Sequence, residues 1–181
     1  MPLNQLPKYI AILIVATFST FFFHEMSHWI AYELLGYDAG FTLNGASVKD
    51  PAIKLSKPER MFTSAAGPIF TIIQAIAFYF ILLKRRSIMW YPFLFLPFFM
   101  RLGAGWANRF QPNDEGRISL DLGLNLYAIT AIVVAFLLFL VIKISRKNHY
   151  TLAQNAITFV ISAILLFTLA YVDAKYKIRF V

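Results

Sequence analysis

Tyr9–Tyr32 reads YIAILIVATFSTFFFHEMSHWIAY, an apolar stretch that carries His24-Glu25-Met26-Ser27-His28 near its far end. A bilayer's hydrocarbon core takes roughly 20 helical residues, so the stretch predicts a membrane helix. On that helix His24 and His28 stand at i and i+4 and project from one face, the spacing at which two imidazoles bind one metal ion. Glu25 lies one position round from His24, where its carboxylate can act as general base toward water at the metal. Two histidines and a glutamate at membrane depth are costly, and ionisable residues there mark function by default. The plainer alternative is polar hydrogen bonding between helices; the spacing favours a metal.

The rest of the composition supports a membrane setting. The 181 residues are 59% hydrophobic, well above the usual share for soluble domains. The net charge of +8 would suit nucleic acid. However, the basic residues cluster at the ends of apolar runs, as they do beside membrane helices. No basic face or base-stacking module accompanies them, so nucleic acid is not expected as a partner. The absence of cysteine excludes thiolate ligands, which leaves histidine and carboxylate to hold a metal. No cleaved signal peptide is expected, because the apolar stretch is long and runs straight into the His/Glu motif.

Five spans are expected in an all-α polytopic membrane protein: Tyr9–Tyr32, Met61–Leu83, Ser87–Ala107, Leu122–Ile142 and Tyr150–Val172. The third contains Pro92 and Pro97 and should be kinked or interrupted, since proline removes an i to i−4 hydrogen bond. Residues 1–181 read as one domain with a core over 9–142 and an extra C-terminal helix at about 150–172. Basic residues are denser on the N-terminal side and more numerous on the opposite side, so the positive-inside rule does not choose an orientation. His24 and His28 lie about 22–28 Å along the first helix, nearer the opposite side.

Other suggestive features fall on that same side. After the first helix, Ala39-Gly40-Phe41-Thr42-Leu43 and Ala46-Ser47-Val48 alternate apolar and polar about Asn44-Gly45, a hairpin signal. Beside a metal, the free edge of such a hairpin could pair with an extended peptide. The small residues Thr63-Ser64-Ala65-Ala66-Gly67 before Pro68 would let the second helix approach the first closely. A catalytic zinc takes three protein ligands and one open position. His149 falls on the wrong side, so the third ligand should be a carboxylate. Asp114 and Glu115, at the start of the fourth helix, are candidates, although Asp114 could simply cap the helix. Asp121, two turns on, is another.

These motifs together resemble the site-2 protease family of intramembrane zinc metallopeptidases. His24-Glu25-Met26-Ser27-His28 with Leu35-Gly36 is similar to the family's zinc helix, Ala65-Ala66-Gly67-Pro68 to the signature of its next core helix, and Pro112-Asn113-Asp114-Glu115-Gly116-Arg117 to its third-ligand motif. Two positions depart from the pattern: Glu115 stands where the family usually has glycine, and Thr71 where asparagine often follows Gly-Pro.

The resemblance implies one zinc ion held by His24, His28 and Asp114, with Glu25 as catalytic base. It also implies a membrane-embedded protein or transmembrane-segment substrate within the lipid bilayer. The protein would be a multi-pass resident of the cell membrane, with its site toward the cytosolic side. The substrate helix would have to unwind first, because a helical backbone hides its carbonyls. The competing expectation is a non-catalytic membrane protein of the same fold that uses the site for metal-dependent binding or scaffolding. Three histidines are too few for a di-iron oxygenase, and the polar residues gather at one site instead of tracing a transport path.

Overall fold

The computed structural model describes residues 3–176 and 178–181. Among these, six α-helices and one hairpin follow in the order α1 (Leu6–Leu34), β1 (Ala39–Thr42), β2 (Gly45–Val48), α2 (Lys57–Lys84), α3 (Tyr91–Ala107), α4 (Asp114–Asp121), α5 (Ala128–Lys147) and α6 (Leu152–Tyr176). All except α4 are long and apolar enough to cross a membrane, with α3 counted together with the single turn Ile88–Trp90 before it. This is the architecture of an integral multi-pass membrane protein. Large apolar side chains such as Phe18, Ile73, Phe80, Ile132 and Phe167 remain exposed on the outer faces, where lipid takes the place of water.

Burial on α1 follows a helical stripe that includes Tyr9, Leu13, Ala16, Thr20, His24, His28 and Ala31. The two histidines therefore continue the inward face of the helix. The helix ends at Gly36, whose φ of +84° is a conformation that glycine adopts without steric cost. The Gly36 amide donates to Glu33 O and the Tyr37 amide to Tyr32 O, the paired bonds of a Schellman cap. His149, after α5, takes the same left-handed conformation (φ 55°). Its amide donates to Arg146 O and the next amide to Ser145 O, so the third histidine terminates a helix.

The most buried of the five long helices is α3, which packs against α1, α2, α5 and α6. Tyr91, Leu94, Phe95, Phe98 and Phe99 of α3 form a core with Leu82, Leu137 and Ile144. Of the expected kink or interruption, the helix shows no interruption: α3 runs unbroken through Pro97. Proline cannot donate to the carbonyl four residues back. Gln74 of α2 supplies the missing donor, with Nε2 at 2.9 Å from Phe93 O and also 2.9 Å from Thr20 Oγ1 of α1.

Two further expectations are corrected. The fourth span begins at Ala128, because Asp114–Asp121 forms a separate short helix. Gly123 (φ +74°) closes that helix with the same paired bonds, Gly123 N to Leu120 O and Leu124 N to Ser119 O. The hairpin forms, but its register pairs Thr42 with Gly45, so the turn residues are Leu43 and Asn44 instead of Asn44 and Gly45. Asp173, near the end of α6, holds this turn: it accepts from Thr42 Oγ1 at 2.9 Å and from the Leu43 amide at 3.1 Å.

Gln74→Leu should destabilise the protein by about 1–3 kcal/mol by leaving the Phe93 carbonyl unpaired. The penalty should shrink in a Pro97→Ala background, where residue 97 recovers its own donor. Unfolding midpoints of the four proteins in detergent would measure this coupling.

Candidate metal centre

His24 and His28 of α1 and Asp114 of α4 meet in the interior, each offering one ligand atom within 4.8 Å of the others. The Nε2 atoms of the two imidazoles are 3.2 Å apart, and Asp114 Oδ2 lies 3.2 Å from His24 Nε2 and 3.4 Å from His28 Nε2. Atoms bonded at about 2.0–2.1 Å around a tetrahedral cation lie about 3.3–3.4 Å apart. The three observed spacings fit that edge length.

The proton position on His28 points the same way. His28 Nδ1 is 2.7 Å from the Thr63 carbonyl, which can only accept, so Nδ1 carries the hydrogen and Nε2 presents a lone pair. Arg101 Nη2, which can only donate, lies 3.4 Å from His24 Nε2. Asp114 Oδ2, which can only accept, faces the same nitrogen at 3.2 Å, so these contacts leave either tautomer open to His24, whose Nδ1 is buried without a partner among the described residues. Two imidazole nitrogens and a carboxylate oxygen thus converge on one point, with the histidines buried and Asp114 partly buried. Such a group could hold a metal ion.

Gly67 lets α2 approach this closely. A Cβ there would collide with both imidazoles and come within 2.6 Å of His24 Nδ1. The small-residue run read in the sequence thus has a specific purpose at Gly67, where any side chain would enter the centre.

On α4, positions 114, 117 and 121 fall on one helical face, and each meets another element. Asp114 reaches the imidazoles. Arg117 donates from Nε to Ser64 Oγ of α2 at 3.2 Å and from Nη2 to Asp114 Oδ1 at 2.7 Å. Asp121 accepts from Arg60 Nε of α2 at 2.8 Å, with a second bond from Arg60 Nη2 to the other oxygen. This pairing draws Asp121 away from the centre and holds its carboxyl below the usual range, so its candidacy as a ligand is withdrawn. The preceding loop is tied by Asn108, whose Oδ1 accepts from the Asn113 amide at 2.7 Å.

Glu115 does not join the imidazoles either. It is fully buried and pairs with Arg101 of α3, Nη1 to Oε1 at 3.1 Å. The same Nη1 lies 3.2 Å from Asp114 Oδ2. Arg101 therefore bridges the ligand carboxylate and its neighbour. Reading the sequence missed this pair. Its only signal was an arginine inside an apolar span and a second carboxylate beside Asp114.

Glu25 is buried at 7% exposure. Among the described residues no group hydrogen-bonds its carboxylate, so its oxygens are free to take a proton.

Gly67→Ala should lower the metal bound per chain at a fixed metal concentration while helicity is retained, as metal analysis and circular dichroism would show. Arg101→Met should destabilise by about 3–5 kcal/mol by stranding Glu115 as an unpaired buried charge. Arg101→Met combined with Glu115→Leu should recover most of that loss in detergent unfolding.

No protein-family model, no curated protein and no solved structure matches the chain.

Proposed function

We propose that this protein is an intramembrane zinc-dependent endopeptidase that cleaves membrane-embedded protein substrates. The observation that carries the reading is the convergence of Asp114 Oδ2 of α4 with His24 Nε2 and His28 Nε2 of α1, the helix that also holds the buried Glu25, whose carboxylate has no hydrogen-bond partner among the described residues.

The residues suit zinc. Two imidazoles and a carboxylate with no thiolate form a borderline donor set, and three protein ligands leave a position open, the pattern of catalytic zinc sites. Bound there by His24, His28 and Asp114, zinc would supply Lewis acidity and lower the pKa of water. Everything else falls to the chain's own groups. Glu25 takes the proton of the attacking water and returns it to the leaving amine. Arg117 and Arg101 grip both oxygens of Asp114 and fix its direction. Gly67 and the buried walls around His24 and His28 limit water to what the reaction consumes.

A substrate segment must be extended to expose its carbonyls, and β1 offers an edge to receive it. In this two-residue hairpin Thr42 and Gly45 are the bonded pair, so the Phe41 N–H and C=O point away from β2. A strand laid along that side gains backbone hydrogen bonds whatever its sequence. The proposal also takes the hairpin side as the cytosolic one, in keeping with the family resemblance.

Glu25→Gln should retain zinc at the wild-type level and lose cleavage of a transmembrane reporter by about 10²–10⁴-fold. Undiminished cleavage in that variant would overturn the roles assigned. A wild-type protein that binds zinc but cleaves nothing would favour a metal-dependent binding module.

A further inference from the structure

We propose that the outer edge of β1, with the cleft between Phe22 and Phe41, is a recognition site for an extended peptide segment bearing an aromatic residue. Ile178–Val181 of this chain is its internal occupant. Its use in selecting substrates rests on the peptidase reading; the binding itself does not.

Four observations place the segment there. The Phe180 amide donates to the Phe41 carbonyl at 3.0 Å, using the backbone group that β1 turns away from β2. The Phe180 ring stacks on Phe41 (centroids 5.2 Å, planes at 25°) and meets Phe22 edge-on at 5.1 Å. Phe22 and Phe41 are themselves 5.5 Å apart, so the three rings close on one another. A Cβ at Gly40 would lie 2.8 Å from the Val181 carbonyl oxygen: β1 is bare where a second backbone crosses it. Finally, Asp173 is clamped to the hairpin turn through Thr42 and Leu43, which delivers the following residues to the edge.

The attachment is built to exchange. Among the described residues one backbone hydrogen bond holds the segment, and Ile178 and Val181 are 45% and 50% exposed. The site also lies beside the candidate chemistry. Phe22, Glu25 and Trp29 share one face of α1 at i, i+3 and i+7, and the Phe41 ring spans that face, 5.5 Å from Phe22 and 5.9 Å from Trp29. A strand on this edge therefore lies against the helix that carries Glu25. The backbone bond tolerates any sequence, whereas the ring cleft selects an aromatic side chain.

The test uses a fluorescent peptide of residues 176–181 and the full-length chain in detergent, in a Glu25→Gln background so that nothing is cleaved. Phe180→Ala should vacate the cleft and bind the added peptide about tenfold more tightly than the chain with Phe180 intact, the worth of one aromatic contact. Phe180→Leu, which keeps apolar bulk, should fall between the two and guards against a folding defect in the alanine variant. A peptide with alanine in place of phenylalanine should bind Phe180→Ala about tenfold more weakly than the parent peptide. Equal binding of the two peptides, or no gain in Phe180→Ala, would overturn the site. Chelation of metal should leave the affinities unchanged. Aromatic-dependent binding alongside a failed cleavage assay would remove the peptidase reading and keep this site; the reverse result would remove this site alone.

Discussion

Two imidazole nitrogens and a carboxylate oxygen face one another across little more than 3 Å among largely buried side chains. The guanidinium groups of Arg101 and Arg117 offset part of their repulsion from one side, and a cation between them would offset the rest. The rest of the structure holds them there regardless. The inward stripe of α1 aims the imidazoles, the Thr63 carbonyl fixes one tautomer, and Gly67 makes room for both rings. Two arginine contacts to α2, at Ser64 and from Arg60, pin α4 so that Asp114 completes the group. A packed polar cluster of this kind has a physical rationale if a cation belongs at its centre.

Charge is balanced around that point in a specific way. Arg101 and Glu115 form a buried pair of opposite sign, so Glu115 adds no net charge beside Asp114. A lone buried carboxylate would compete with Asp114 for a cation; with Arg101 beside it, Glu115 instead anchors a guanidinium that reaches both Asp114 and His24. A similar compensation lets Pro97 sit inside α3, where the Gln74 amide fills the carbonyl that proline leaves open. In apolar surroundings each such group needs a named partner.

The spans and the histidine pair were legible in the sequence because apolar length and i, i+4 spacing are local properties. So was the hairpin, but not its register, because Asp173 settles the turn from about 130 residues away along the chain. The split between α4 and α5 was readable at Gly123, yet the apolar run through Leu122–Ile142 masked it. The faces of the long helices could not be read, because they are apolar towards lipid and core alike; burial is periodic where hydrophobicity is not. The choice among Asp114, Glu115 and Asp121 depended on Arg101 and Arg60, whose contacts are long-range. The C-terminal helix matched no motif, and its tie to the hairpin became visible only in three dimensions.

X-ray absorption at the zinc edge on the purified wild-type protein bears most directly on the central claim. The account predicts one zinc per chain, with two imidazole nitrogens and carboxylate oxygen in its inner shell. A protein that retains no zinc when supplied with it, or a zinc shell without imidazole scattering, would contradict the account.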